Sequence, residues 1–179
     1  DGRVNCAPVV ASAVTEILPE ATERFARAAI AAPDEVLCEM EERGEVFPTV
    51  GREVGQFLRL LARMVDARRV FEFGSGFGYS AYWFADALPE DGEVVLTEHD
   101  DDELDEARDY FERGGIADRA VFESGDALDA VERYDGPFDA VLIDHQKHRY
   151  PEALAAVREK VAPGGVVVAD NAMTSTAQD

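Results

Sequence analysis

Lysine is almost absent from this 179-residue sequence: two of its 17 basic residues, Lys147 and Lys160, are lysines. Cysteine is nearly as scarce. Cys6 and Cys38 lack metal-ligand spacing, and a lone disulfide is the less favoured reading, which points to a reducing, cytoplasmic setting. No run of about eighteen apolar residues occurs, so no transmembrane helix is expected. No basic stretch followed by an apolar one opens the sequence, so no signal peptide is expected either. Positive charge is short throughout: 17 Lys plus Arg face 38 Asp plus Glu, for a net −21. That balance leaves no basic patch, and nucleic-acid binding is not expected. With 46% hydrophobic residues, the chain is not a disordered tail, and its length suits one compact domain with a sizeable core.

Acid runs such as Asp100-Asp101-Asp102-Glu103 read as solvated faces. An acidic, lysine-poor surface suits a cell interior of very high salt, where screening acts over about 3 Å at 1 M. A halophilic source is the preferred reading, and an ordinary acidic protein is the plainer alternative.

Residues 1–14 read as a loose arm, and helical periodicity follows from Glu16 to Ala32. Pro33-Asp34 opens a second helix that Gly44 closes. A third helix runs from about Gly51 to Asp66 on the apolar stripe Val54, Phe57, Leu58, Leu61 and Val65. From residue 68 onward, short apolar runs alternate with amphipathic helices. The runs are Arg69–Phe73, Glu93–Thr97, Ala120–Glu123, Phe138–Ile143 and Gly165–Ala169, and the helices start near Tyr79, Asp101, Asp126 and Tyr150. This alternation predicts an α/β fold with a doubly wound, mostly parallel sheet covered on both faces. A single domain is expected over 1–179, with a helical cap at 1–50, a cofactor-binding core at 51–171 and a tail at 172–179.

The segment Val70-Phe71-Glu72-Phe73-Gly74-Ser75-Gly76-Phe77-Gly78-Tyr79-Ser80 is an apolar strand entering a glycine turn and then a helix. A dinucleotide fingerprint needs glycine or alanine three places after its second glycine, and Tyr79 stands there. Glu72, near the strand end, repels a pyrophosphate and attracts an ammonium. S-adenosylmethionine satisfies both conditions, since it carries an α-ammonium, an α-carboxylate and a sulfonium but no phosphate. Gly74, Gly76 and Gly78 let the backbone approach such a ligand. The helix N-terminus, helped by the Ser80 hydroxyl, can receive its carboxylate. A plain strand–helix turn is the alternative. Glu98, ending the second run, stands where ribose hydroxyls need an acceptor. Asp126, in Gly125-Asp126-Ala127, either accepts from an adenine amine or caps a helix, and the two roles are compatible.

The fourth run ends Asp144-His145-Gln146-Lys147-His148-Arg149-Tyr150, and the fifth ends Asp170-Asn171. Ligands of doubly wound sheets sit outside the carboxyl ends of the strands. With strands four and five beside strand one, Asp144, Asp170 and Asn171 converge into an all-oxygen set suited to Mg²⁺, with Mn²⁺ or Ca²⁺ as alternatives. Lys147 can serve as a base if a nearby cation or burial depresses its pKa, which an arginine could not do. Its plainer reading is an exposed lysine at a helix start, and that of the two acids is helix capping. His145 is expected to pack near the cofactor. No Gly-x-Ser-x-Gly occurs, so a serine hydrolase is not supported.

These segments resemble the cation-dependent O-methyltransferases, including the catechol and caffeoyl-CoA types. Asp144 to Tyr150 with Asp170-Asn171 carries the resemblance, joined by Val50-Gly51, Gly55-Gln56 and the glycine turn. The resemblance implies metal ligands at Asp144, Asp170 and Asn171, with Lys147 as base. It implies that Val50, Glu72, Gly74 and Ser80 hold the amino-acid end of the cofactor and Glu98 the ribose. The adenine falls near His99, Asp126, Ala127 and His145. It also implies a small hydroxyl acceptor, catechol-like or another vicinal diol, and leans toward a homodimer. Gln146 stands where the catechol enzyme has a tryptophan beside the cofactor, and Phe47 is offered as a replacement aromatic wall. The family adds two more strands after the Asp-Asn pair, which residues 172–179 do not supply, so the sequence reads as truncated or incomplete. Two rival readings stay open: a tRNA-modifying relative, and a non-catalytic S-adenosylmethionine-binding protein. A nicotinamide oxidoreductase is the weakest, because of Tyr79 and Glu72.

Overall fold

A computed structural model describes residues 33–44 and 47–172. The expected arm, the Glu16–Ala32 helix and all but the first residue of the 172–179 tail lie outside the described residues. Helix α1 (Glu35–Arg43) starts where the Asp34 carboxylate accepts the Leu37 N–H at 2.8 Å and stops at Gly44, as its capping residues predict. Helix α2 (Gly51–Met64) ends just before Asp66, which adopts a left-handed φ of 50°.

The strands are β1 (Arg69–Phe73), β2 (Glu93–Glu98), β3 (Ala120–Ser124), β4 (Phe138–Ile143) and β5 (Val161–Ala169). They form one all-parallel sheet in the order β3-β2-β1-β4-β5. Between them run α3 (Tyr79–Ala87), α4 (Asp101–Arg113), α5 (Ala127–Glu132) and α6 (Tyr150–Val157). The order reverses between β1 and β4, which opens the crevice where ligands bind in such sheets. β5 lies outside β4 rather than against β1. It also begins four residues earlier than its apolar run suggests. Val161 pairs with Phe138, the register then shifts, and pairing resumes at Ala140 with Val166. Pro163 and Gly164, the latter at φ 86°, sit in that irregularity, which is how a sheet tolerates such residues.

Strand alternation sorts the core into two layers. Val70, Val94, Leu96, Ala140 and Leu142 face α1 to α4 through Leu58, Tyr82, Trp83 and Phe111. Phe71, Phe73, Val95, Val141 and Ile143 face α5 and α6 through Val131, Ala153 and Val157. No helix among the described residues is long and apolar enough to cross a membrane. The cysteine reading needs correction. Cys38 is buried and disulfide-bonded, with its partner outside the described residues, so cysteine usage no longer argues for a reducing compartment.

Gly55 brings α2 close to α3. A Cβ there would overlap the indole of Trp83, the only tryptophan, which is buried. Gly55→Ala should therefore destabilise the fold by about 1–3 kcal/mol through overpacking, despite alanine's better helix propensity. Denaturant unfolding followed by Trp83 fluorescence checks this, and an unchanged midpoint would refute it.

Candidate active site

Every strand delivers an acid to the same end of the sheet. Glu72 lies within β1 and Glu98 ends β2, while Asp126, Asp144 and Asp170 follow β3, β4 and β5. Backbone pairing continues past the strands and places the loops: the Gly125, Asp144 and Asp170 N–H groups donate to the carbonyls of Glu98, Phe73 and Ile143 at 2.8, 2.9 and 3.2 Å. Thr97, which sequence reasoning passed over, ties down the glycine turn. Its hydroxyl donates to the Glu72 carbonyl at 2.6 Å and accepts the Gly74 N–H at 3.2 Å.

A cleft of about 500 Å³ opens there. Val50, Gly74, Gly76, Ser80, Glu98 and His99 line one part, and Asp144, His145, Lys147, Asp170 and Asn171 line another. An adjoining cavity of about 240 Å³ takes in Asp126 and Ala127 and shares Gly74, Glu98, His99 and His145 with the main cleft. Two residues of the expected set lie elsewhere. Gly78 caps α3 at φ 84°, and a Cβ on it would meet Ala107 of α4 at 3.0 Å, so it serves helix packing. Glu72 lies beneath the turn, with no exposed surface.

Glu72 is the most deeply buried acid of the site and is only half compensated. Ser80 spends its hydroxyl on Glu72 Oε1, leaving that hydroxyl engaged rather than turned to a ligand carboxylate, and Glu72 Oε2 has no hydrogen-bond partner. Burial, reinforced by Asp144 and Glu98 and opposed by Ser80, pushes its pKa up to about 8. Glu98 is well satisfied by contrast. Its Oε2 accepts the Gly76 N–H at 2.9 Å, and its Oε1 accepts those of His99 and Asp100 at 2.8 and 3.1 Å. Asp126 does cap α5, accepting the Leu128 N–H at 2.9 Å, and it also holds Arg149 in a two-point pair at 2.9 and 3.2 Å. His145 is stacked on Tyr150 with ring centroids 5.7 Å apart, and neither of its ring nitrogens has a partner. Burial and Arg149 lower its pKa, favouring neutral imidazole.

The second knot of charge lies beyond β4 and β5. Burial and Asp170 raise the Asp144 pKa to about 6, against the opposing pull of Lys147. Lys147 Nζ donates to Asp144 Oδ1 at 3.2 Å, to the Asp170 carbonyl at 3.1 Å and to the Tyr150 hydroxyl at 2.7 Å. The expected depression of the lysine pKa is reversed here. Burial lowers it, but Tyr150 and Asp144 together outweigh burial and hold it above its ordinary value. Tyr150 is a site residue that sequence reasoning treated only as a helix start, and the available signal was its spacing of three from Lys147. Asn171 adopts a left-handed φ of 51° and donates through Nδ2 to Asp170 Oδ2 at 2.6 Å. Among the described residues no group of three or more His, Cys, Asp or Glu could hold a metal ion. The candidate set here is two carboxylates and an amide.

The O-methyltransferase family model matches residues 37–177. The chain belongs to the O-methyltransferase family. A catechol O-methyltransferase of Niastella koreensis is 34% identical over 136 residues, covering 74% of this chain and 62% of that protein. The chain thus spans about three fifths of that relative's length. The O-methyltransferase TomG of Streptomyces achromogenes, involved in tomaymycin synthesis and solved in complex with SAM, superposes with a TM-score of 0.77 at 32% identity, covering 83% of this chain and 70% of TomG. An O-methyltransferase of Bacillus cereus, solved with SAH, gives 0.76 at 29%, covering 83% and 71%.

The Glu72 carboxyl binds its proton more tightly in the folded chain than in the unfolded one. Folding therefore takes up a proton between about pH 4.5 and 8, and stability falls as pH rises through that window. Glu72→Gln should stabilise the ligand-free protein by on the order of 3 kcal/mol at pH 9, with the gap closing toward pH 5. Thermal or denaturant midpoints across that range check the prediction, and a pH-independent gap would contradict it.

Proposed function

We propose that the chain binds S-adenosylmethionine in the main cleft and methylates a hydroxyl of a small, catechol-like or other vicinal-diol aromatic, with a divalent cation such as Mg²⁺. The observation that carries this reading is the pair of under-compensated acids. Glu72, with an unpartnered oxygen beneath the glycine turn, suits the cofactor's ammonium. Asp144 beside Asp170 suits a hard cation. The membership in the O-methyltransferase family and the SAM and SAH complexes of its structural neighbours support it.

In this reading Glu72 holds the ammonium, Glu98 accepts from the ribose, and the smaller cavity with Asp126, Ala127 and His145 takes the adenine. The cofactor supplies an electrophilic methyl carbon on a sulfonium. A divalent cation at Asp144, Asp170 and Asn171 would offset the paired negative charge and make an acceptor hydroxyl more acidic. With the pull of Asp144 weakened, Lys147 would first give up its own proton to solvent, and the neutral amine then takes the hydroxyl proton. The acceptor oxygen then bonds to the methyl carbon as the carbon–sulfur bond breaks and its electron pair passes to sulfur.

Label transfer from S-adenosylmethionine to a panel of catechols should vanish with EDTA and return with Mg²⁺; transfer that persists in chelator would eliminate the cation's role. Lys147→Ala should cut turnover by about 10²-fold or more while leaving cofactor affinity within about twofold. Equal loss of both would make the lysine structural. Docking an ammonium against Glu72 also expels its proton. Near pH 7, cofactor binding should release up to about one proton, read as buffer-dependent heat in calorimetry. Heats independent of the buffer would rule out Glu72 as the ammonium site.

A further inference from the structure

One arginine outside the charge knots is held in an unusual way. Arg43, in the last turn of α1, reaches across to α4, where Nε donates to Glu106 at 3.1 and 3.3 Å and Nη2 to Glu103 at 3.0 Å. Its guanidinium carbon also lies over two aromatic rings, 5.6 Å from the centroid of Phe47 and 5.3 Å from that of Phe77. Those rings meet edge to face at 5.6 Å. Phe77 is buried in the core, whereas Phe47 lines the main cleft. There it fills the space a side chain at residue 76 would need: a Cβ on Gly76 would stand 3.0 Å from Phe47 Cε1. The Phe47 N–H donates to the Arg43 carbonyl at 3.2 Å, so ring and backbone both answer to this arginine.

Bracing of α1 to α4 does not by itself account for the arrangement. Arg113 of α4 already pairs with Glu39 of α1, and α1 is held from a second side, where the Tyr82 hydroxyl of α3 donates to Asp34 at 3.0 Å. What Arg43 adds is a cation spread over the ring that faces the cleft. We propose that Arg43 is a positioning residue for the cofactor site: fixed by Glu103 and Glu106, it sets the Phe47 ring against Gly76, and that ring forms one wall of the cofactor's seat. The proposal rests on the S-adenosylmethionine reading of the cleft. It accounts for a glycine turn with no side chain of its own at residue 76, since the wall is supplied from a separate segment.

The test is a double-mutant cycle on cofactor affinity, with S-adenosylhomocysteine as the calorimetric probe. Arg43→Gln should weaken binding about five- to tenfold, and Phe47→Ala at least as much. The double variant should bind no more weakly than Phe47→Ala alone, because the arginine acts through the ring. Arg113→Gln, which removes only a brace, should leave affinity within about twofold. An equal further loss from Arg43→Gln on the Phe47→Ala background overturns the proposal, as does no loss from Arg43→Gln by itself. Should Arg43→Gln fail to fold, the same cycle run with Glu106→Gln decides between those outcomes. A wild type that does not bind the probe overturns the cofactor reading and this inference with it. That result is distinct from binding by wild type with additive losses.

Discussion

Like charges gathered at one end of a parallel sheet are the constraint on which this structure turns. Five strands carry five acids to a shared rim, and each must be balanced or suppressed. Glu98 is balanced by three backbone N–H groups and Asp126 by Arg149 and a helix start. Asp144 has Lys147 as its cationic partner and faces Asp170, while Glu72 has one hydroxyl. Glu72 and Asp144, both poorly balanced, have pKa values pushed up to about 8 and about 6. They bracket the glycine turn. The fold thus leaves two acids short of compensating charge, one fully buried in the sheet and one lining the cleft.

Much of the architecture could be read before any coordinates. β1 and β4 are legible to the residue, because each is a short apolar run closed abruptly by a glycine or an acid. The start of α1 is legible because Asp34 can do one thing well there, and its end because Gly44 follows. β5 is the instructive miss. Pro163-Gly164-Gly165 reads locally as a break, yet the neighbouring strand tolerates a register shift and pairing starts earlier, at Val161. Local punctuation cannot reveal what a partner strand will absorb.

The site divides along the same line. Residue identities at strand ends are legible because topology alone brings them together, and Asp144, Asp170 and Lys147 do meet. Proton affinities are not legible, because they depend on what else arrives. Lys147 looked like a base in waiting, but Tyr150 and Asp144 hold its proton. Ser80 looked turned toward a ligand, but it is spent on Glu72. Gly78 belongs to the same motif as Gly74 and Gly76 yet serves α4. Cys38 gave no local hint of its bond.

The cleft is built from two kinds of material. One wall stands on strand ends, where Glu72, Thr97 and Glu98 are buried and cross-linked through the sheet. The other is hung on connecting segments: Phe47 to Val50, exposed Gln146 and the turn at Asn171. Substitutions in the first wall disturb the core. Those in the second act on the cleft without disturbing the sheet beneath it. Over evolutionary time the opening of such a cleft can change while the sheet beneath it stays intact, because connecting segments tolerate substitution better than buried strand ends do.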